Sequence, residues 1–126
     1  MIPFIALGSA LGGVARYLVS IAFARPTPLP IGTLLVNVTG SLILGFITRY
    51  GAVTAAWSPE AKAFLTIGFC GGYTTFSTFS LEVAALIEQG EFGRAAVYGG
   101  LSGLLSVGAV FAGFALAGLA GGRATA

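Results

Sequence analysis

Apolar residues run along this chain in four long segments, which are separated by polar or proline-rich stretches. The approximate bounds of the segments are residues 2–24, 31–53, 61–89 and 92–121. Each segment has at least the roughly 20 residues that a helix needs to cross a bilayer. Residues 26–30 include three prolines, which cannot continue a helix. The pattern predicts an all-α integral membrane protein in which residues 1–126 form a single domain of four transmembrane helices.

Several segment boundaries carry recognisable signals. Ser58, Pro59 and Glu60 have the residue types of a helix start: a hydroxyl cap, a proline at the first position and an acid in the first turn. Gly90 is placed to end the third segment, because glycine tolerates the left-handed backbone that commonly follows a last turn. The first segment has no basic stretch ahead of it, which favours a retained helix over a signal peptide.

The third segment contains the least typical stretch of the chain, GFCGGYTTFSTFS at residues 68–80. Gly71 and Gly72 lack the side chains that favour a helix, so we predict that the third helix is broken there, across residues 71–75. The hydroxyl side chains that follow are Thr74, Thr75, Ser77, Thr78 and Ser80. Hydroxyls at membrane depth need partners, which the free amides and carbonyls of a broken helix can supply. We interpret this stretch as the functional centre.

Composition agrees with a membrane protein and excludes several other classes. Of the 126 residues, 56% are hydrophobic and 8% are charged, whereas a soluble domain has about 25% charged residues. The net charge of +2 is too small to indicate a nucleic-acid surface. With no histidine and one cysteine, Cys70, the chain has no intrachain disulfide, Cys/His zinc site or histidine-activated nucleophile. Paired carboxylates and a phosphate-binding loop are also missing, and we predict that the protein is not an enzyme.

Positive charges are nearly balanced between the two ends of the helices. An even number of crossings places Arg49, Lys62 and Arg123 on one side and Arg25 and Arg94 on the other. The excess of Lys and Arg sets orientation, so a weak bias leaves two alternatives: insertion in both directions, or one orientation fixed by depth effects. Insertion in both directions would let two copies pair about an axis in the membrane plane. Four short helices enclose little space, which also favours an oligomer.

Phe76 and Phe79 lie three residues apart and share one face of the half-helix after the break. Such a pair is ordinarily in contact with lipid or with the core. Here the rings alternate with Ser77 and Thr78, and the partial positive charge at ring edges can favour an anion. Hydroxyl donors without a fixed charge let an ion bind and also leave. This arrangement favours an anion path.

The fourth segment carries a polar stripe, because Tyr98, Ser102 and Ser106 recur every four residues. Serines in membrane helices often bond to their own backbone, so the stripe indicates either local bonding or a polar path. Asn37, in the second segment, has a donor-rich amide in an apolar environment. It either joins helices or lines a path.

Two charged residues, Arg16 and Glu82, lie well inside apolar segments rather than near their ends. Arg16 is about four turns into the first helix, where it can extend to the membrane surface or raise the positive potential of a vestibule. Glu82 follows Phe79 by three residues and needs a partner or water at that depth. A carboxylate that stands alone among apolar neighbours is a candidate functional residue.

These motifs closely resemble those of the fluoride-specific ion channels of the Fluc/CrcB family. The resemblance covers nearly the whole chain: GGVARY at residues 12–17, GTLLVNVTGS at 32–41, GFCGGYTTFSTFS at 68–80 with Glu82 after it, and the stripe of the fourth segment. The string TTFSTF is highly specific, whereas the GG-x-x-R element alone would be weak. Tyr73 departs from the family's pattern, which more often has leucine or another apolar residue there.

The resemblance implies both a fold and an assembly. Family members are four-helix subunits that form antiparallel, dual-topology homodimers with two fluoride pathways along the subunit interface. The break in the third helix would hold a structural sodium ion through the backbone carbonyls of Gly71 and Thr74. By motif position, the fluoride pathway would comprise Asn37, Phe76, Ser77, Thr78, Phe79, Tyr98, Ser102 and Ser106, with Arg16 and Glu82 as vestibule or structural polar residues.

The function that the resemblance implies is fluoride-selective conduction, with passive electrogenic efflux and fluoride resistance. The location would be the plasma membrane of a prokaryote, as a multi-pass protein whose partners are fluoride, sodium, the bilayer and a second copy. Two alternatives from other classes are open. A small proton-coupled multidrug exporter would need a titratable carboxylate deep in a helix, for which Glu82 is the one candidate. A non-transporting assembly subunit would not need Asn37 or Phe76 for fluoride tolerance.

Overall fold

The computed structural model describes residues 1–125, with side chains as far as residue 122. The regular elements of this part of the chain are all helical: α1 (Ile2–Ala22), α2 (Ile31–Thr54), α3 (Pro59–Ala63), a π-helix (Phe64–Cys70), α4 (Gly71–Tyr73), α5 (Phe76–Glu88) and α6 (Phe92–Thr125). The side chain of Arg123, which enters the predicted charge balance, lies outside the described side chains.

Three of these helices are long and apolar enough to cross a membrane: Ile2–Ala22, Ile31–Thr54 and Phe92–Gly122. They confirm the predicted all-α membrane class. The third predicted segment is divided among α3, the π-helix, α4 and α5. α1 ends at Ala22 rather than near residue 24, and α6 continues past residue 121.

The structure confirms the predicted helix start at Ser58 and the predicted helix end at Gly90, which bound the third segment. Ser58 Oγ accepts a hydrogen bond from the Ala61 N–H at 3.1 Å, directly ahead of Pro59 as the first residue of α3. α5 ends at Glu88, and Gly90 has a positive φ of 77°. A residue with a side chain rarely adopts this conformation, which lets the chain turn directly into α6.

The break in the third segment lies at Thr74 and Thr75, within the predicted range of residues 71–75, but it does not include Gly71-Gly72. Gly71 has helical dihedral angles (φ −62°, ψ −39°), and α4 continues through Tyr73. Thr74 (φ −86°, ψ 157°) and Thr75 (φ −150°, ψ 119°) are extended instead. β-branched residues such as threonine suit extended backbone, whereas glycine permits many conformations and favours none of them strongly.

The glycines near the break serve close packing against α1. A Cβ at Gly72 would lie 2.5 Å from Ser9 O and 3.0 Å from Ser9 Cα. Gly12 of α1 faces the Phe69 carbonyl of the π-helix, which a Cβ there would overlap. Small residues let membrane helices approach closely. Residues 59–73 and α1 are therefore in direct backbone contact.

α2 and α6 form the second closely packed pair of helices. Gly45 of α2 lies against the Val110 carbonyl of α6, and Gly113 of α6 lies against the Leu42 carbonyl of α2. α2 also contacts α1, the π-helix, α4 and α5. It therefore occupies the centre of the subunit, beside the break.

Candidate functional site

Two of the threonine hydroxyls close the helix ends on either side of the break. Thr75 Oγ1 accepts a hydrogen bond from the Thr78 N–H at 3.2 Å and caps α5. Thr74 Oγ1 donates to Cys70 O at 2.9 Å, and the Thr74 N–H donates to the same carbonyl at 3.0 Å. Thr75 Oγ1 thus replaces a bond that the interruption removes, whereas Thr74 Oγ1 adds a second donor to a carbonyl that keeps its helical partner.

Asn37 of α2 binds the extended residue Thr75 through two hydrogen bonds. Its Nδ2 donates to Thr75 O at 3.0 Å, and its Oδ1 accepts from the Thr75 N–H at 2.8 Å. The side-chain amide replaces the helical partners that both backbone groups lose at the break. Of the two roles weighed for Asn37, joining helices is therefore observed.

The break also releases several backbone carbonyls from helical pairing, among them those of Gly71 and Thr74. A continuous helix would pair Gly71 O with the Thr75 N–H, but that amide donates to Asn37. It would pair Thr74 O with the Thr78 N–H, which donates to Thr75 Oγ1 instead. The carbonyls of Gly71 and Thr74, which the resemblance implies as sodium ligands, thus have their helical donors engaged elsewhere.

Arg16 of α1 reaches the break. Its Nε donates to Gly72 O at 3.1 Å, and the side chain is partly buried. The guanidinium supplies a donor to a carbonyl whose helical pairing ends at the break, and it adds a positive charge there. Residues 1–125 contain no cluster of three or more His, Cys, Asp or Glu side chains that could hold a metal ion. A cation at the break would therefore depend on backbone carbonyls and hydroxyls.

A cavity of about 380 Å³ opens beside the break, between α2, α5 and α6. Five residues predicted for the fluoride pathway line this cavity: Asn37, Phe76, Phe79, Ser102 and Ser106. Residues that the resemblance did not place there also contribute: Ser41, Leu44, Thr74, Thr75, Gly99, Gly103 and Val107. Within the described part of the chain, no charged side chain lines the cavity.

Phe76 and Phe79 form an aromatic wall of the cavity. Their ring centroids lie 5.7 Å apart, with the rings tilted by 45°. Phe79 also contacts Tyr98, with centroids 5.2 Å apart. Phe76 is 79% exposed, so few atoms of its own subunit fix its ring.

The predicted polar stripe on α6 divides into two parts. Ser102 and Ser106 line the cavity, whereas Tyr98 is fully buried and does not. Ser102 is 6% exposed, and its Oγ has no hydrogen-bond partner among the described residues. Buried hydroxyls ordinarily have a partner. Ser102 thus contributes a buried hydroxyl with an unsatisfied oxygen beside the cavity, and this oxygen is shielded from solvent.

Glu82 has two hydroxyl partners, so its apparent isolation in the sequence does not persist in the fold. Thr33 Oγ1 of α2 donates to Glu82 Oε1 at 2.5 Å, and Tyr98 OH of α6 donates to Oε2 at 3.2 Å. The carboxylate of α5 thereby joins α2 to α6 behind the wall of the cavity. Hydrogen bonds to a charged acceptor are among the stronger ones.

Ser77 and Thr78 lie outside the cavity lining. Ser77 is exposed, with its Oγ 3.4 Å from Thr75 Oγ1, and Thr78 bonds through its backbone amide. Both residues belong to the first turns of α5, on faces that this cavity does not reach.

Sequence reasoning missed a polar stripe on α2 that matches the one on α6. Thr33, Asn37 and Ser41 recur every four residues and therefore share one helix face. Thr33 binds Glu82, while Asn37 and Ser41 line the cavity. The four-residue spacing is the signal that would have identified Thr33 and Ser41.

Known proteins resemble the chain over most of its length. The family described as "CrcB-like protein, Camphor Resistance (CrcB)" matches residues 3–114. The Rhodospirillum centenum protein named Fluoride-specific ion channel FluC is 49% identical over 118 residues, which cover 92% of this chain and 94% of the relative. A Nitrobacter winogradskyi protein of the same name is 52% identical over 111 residues, covering 86% and 88%. One from Rhizobium meliloti is 47% identical over 117 residues, covering 91% and 94%.

The matched region includes α2, the broken segment, the cavity and all the polar residues described above. The range that the family match covers therefore contains the elements that build the site. This chain belongs to the CrcB family.

Proposed function

We propose that this protein is a fluoride-selective ion channel that carries fluoride out of the cell passively and electrogenically, and so gives fluoride resistance. Its relatives are named fluoride-specific ion channels. The observation that carries the proposal is the cavity beside the break, which an amide, hydroxyls and aromatic rings line without a charged side chain among the described residues. A pore of this chemistry can replace the water around a small anion without holding the anion by a full charge.

Three kinds of group can attract fluoride in the cavity. Ser102 Oγ has no in-chain partner in the described part of the protein, so its proton can turn to the anion. Asn37 Nδ2 uses one of its two protons on Thr75 O, which leaves the other for the cavity. The ring edges of Phe76 and Phe79 add a weak attraction of the same sign.

Other pathway residues would act less directly. Ser106 lines the cavity one turn beyond Ser102. Tyr98 commits its hydroxyl proton to Glu82 and supports the Phe79 ring from behind. Ser77 and Thr78 would contact fluoride only where the pathway leaves the cavity along the outer face of α5.

The assembly that we propose is an antiparallel homodimer, inserted in both orientations in the cytoplasmic membrane of a prokaryote. Three observations support it. Phe76 is 79% exposed although it lines the cavity. A Cβ at Gly99, Gly103 or Gly108 of α6 would meet no atom within 4 Å, although each glycine costs a helix about 1 kcal/mol relative to alanine. A second copy in close contact would account for both features, and the balanced loop charges permit the opposite orientation.

A structural sodium ion is part of the proposal. The carbonyls of Gly71 and Thr74 would hold it, and their release from helical pairing fits the oxygen ligands that hard cations prefer. The ion would supply a positive charge that lowers the electrostatic cost of an anion near the dimer interface. Arg16 adds charge of the same sign beside Gly72.

Fluoride efflux from proteoliposomes tests the proposed function. Purified protein is reconstituted with sodium and potassium fluoride, and valinomycin supplies the potassium counter-current while an electrode records fluoride. Rapid release that requires valinomycin, without chloride release in a parallel experiment, is the expected result. If a folded and dimeric sample releases no fluoride, the proposal fails.

Replacement of Glu82 by glutamine distinguishes the channel from a proton-coupled exporter. Glutamine can accept one of the two hydroxyl bonds, and its NH₂ group cannot accept the other, so Thr33 or Tyr98 loses its acceptor. One such bond is worth about 1 kcal/mol, so fluoride efflux should slow by about fivefold and persist. An exporter that depends on this carboxylate would lose all transport. Glu88→Gln, at the exposed end of α5, is the matched control and should leave the rate unchanged.

A further inference from the structure

α2 contacts each of the three successive residues at the break. Thr39 Oγ1 lies 2.9 Å from Tyr73 OH. The backbone of Gly40 faces Thr74 Cγ2 so closely that a Cβ there would overlap it. Thr75 is bound through both of its backbone groups by the α2 amide described above. α2 thus contacts every residue across the interruption, through positions spread over about half of its circumference.

Tyr73 is the first of these three anchors and is held on several sides. Its side chain is 8% exposed, and its ring stacks on Phe69 at 5.7 Å with an angle of 13°. Thr39 Oγ1 donates its proton to Leu35 O at 2.7 Å. The 2.9 Å contact is therefore a bond from the Tyr73 hydroxyl to Thr39, because Thr39 has no second proton to give.

We infer that Tyr73 and Thr39 form a positioning pair that sets where Thr74 and Thr75 stand beside the cavity; this inference rests on the proposed function. α4 is the last turn of a helical run that begins at Pro59, and a last turn is held less firmly because its carbonyls lack helical donors. The bond from Tyr73 to Thr39 ties that end to α2 on one side of Thr74. The bonds to Thr75 tie the chain on the other side.

Loss of the hydrogen bond from Tyr73 to Thr39 would change the positions of Thr74 and Thr75 more than it would destabilise the fold. Phenylalanine at position 73 keeps the ring stacked on Phe69 and packed on Gly40, so the buried apolar area is retained. What is lost is the directional contact that fixes the end of α4 along and around the α2 axis. The carbonyl of Thr74 and the cavity wall at Thr75 would then sample additional orientations.

The test compares Tyr73→Phe, Thr39→Val and the double variant in fluoride efflux, with rates expressed per reconstituted dimer. Each single variant should conduct about fivefold more slowly than the wild-type protein, the factor that corresponds to about 1 kcal/mol for one hydrogen bond. The double variant should be no slower than Thr39→Val, because both changes break the bond between the two hydroxyls and Thr39→Val also removes the bond from Thr39 to Leu35 O. Thr39→Ser keeps the hydroxyl and should restore the rate.

Two control variants remove exposed hydroxyls from α1 and α2. These variants, Tyr17→Phe and Thr48→Val, should have no effect on the efflux rate.

A second readout is the sodium concentration that gives half of the sodium-dependent rise in melting temperature of the dimer. If Tyr73 positions the Thr74 carbonyl, this sodium concentration should be about fivefold higher in Tyr73→Phe than in the wild-type protein, because the carbonyl is less well fixed. Unchanged efflux and an unchanged sodium midpoint in Tyr73→Phe would overturn the inference while leaving the channel intact, even if the melting temperature fell. A double variant about 25-fold slower would also overturn it, since the two hydroxyls would then act separately. Absence of fluoride release by the wild-type protein would overturn the proposed function and the inference together.

Discussion

Replacing Asn37 with alanine should reduce fluoride efflux by about 100-fold or more. The side chain makes two hydrogen bonds to Thr75, at 3.0 and 2.8 Å, and alanine leaves the amide and the carbonyl of that residue without partners. A half-buried backbone group that loses its partner costs about 1–3 kcal/mol, and here two groups lose theirs. The extended conformation at Thr75 would no longer be favoured over alternatives that close the cavity. The proposed donor to fluoride is removed by the same change.

The measurement is the valinomycin-dependent rate per dimer, with dimer content checked by size-exclusion chromatography before and after reconstitution. Asn37→Asp keeps the acceptor for the Thr75 N–H, but it loses the donor to Thr75 O and places a negative charge in an anion path. It should therefore be as slow as Asn37→Ala. Thr54→Val, which removes a bond that α2 makes to its own backbone, should conduct normally. Efflux by Asn37→Ala within about fivefold of the wild-type rate would show that the amide serves packing alone.

The long continuous helices could be predicted because their signals are local. Length, hydropathy and the prolines at residues 26–30 identify α1, α2 and α6 without knowledge of any neighbour. The ends at Ser58 and Gly90 are equally local, since one hydroxyl cap and one positive φ determine them.

The exact place of the break could not be predicted, because two causes compete there. Paired glycines permit unwinding, and they also permit contact between backbones. Which applies depends on whether another helix lies against them, and at Gly72 the neighbour is Ser9 of α1. The interruption then falls on Thr74 and Thr75, whose hydroxyls and branched side chains stabilise it.

The candidate site shows the same division between local and tertiary causes. The stripe of Ser102 and Ser106 follows from spacing on one helix, and the equivalent stripe on α2 was accessible by the same rule. The partners of Glu82 were not accessible, because Thr33 and Tyr98 are 49 and 16 residues away in the chain. Only the packing of α2, α5 and α6 brings those hydroxyls to the carboxylate.

Replacing Gly12 with alanine should destabilise the subunit by about 3 kcal/mol. A Cβ at Gly12 would overlap the Phe69 carbonyl oxygen and lie 2.9 Å from Tyr73 N. Both are backbone atoms, which cannot rotate away as a side chain can. α1 would have to move from the π-helix and α4, which lie directly ahead of the break. The measurement is the loss of dimer with temperature, and conduction should fall in the fraction that remains folded.

Gly13 is the matched control, because it is the adjacent residue of the same helix and a Cβ there would meet no atom within 4 Å. Alanine at position 13 should raise the melting temperature slightly, since glycine in a helix costs about 0.5–1 kcal/mol relative to alanine. The two variants add the same methyl group one residue apart, so they differ only in what that group meets. Equal melting temperatures would contradict direct backbone contact between α1 and the third segment. A selective loss at position 12 would instead show that Gly12 lets α1 approach the π-helix and α4.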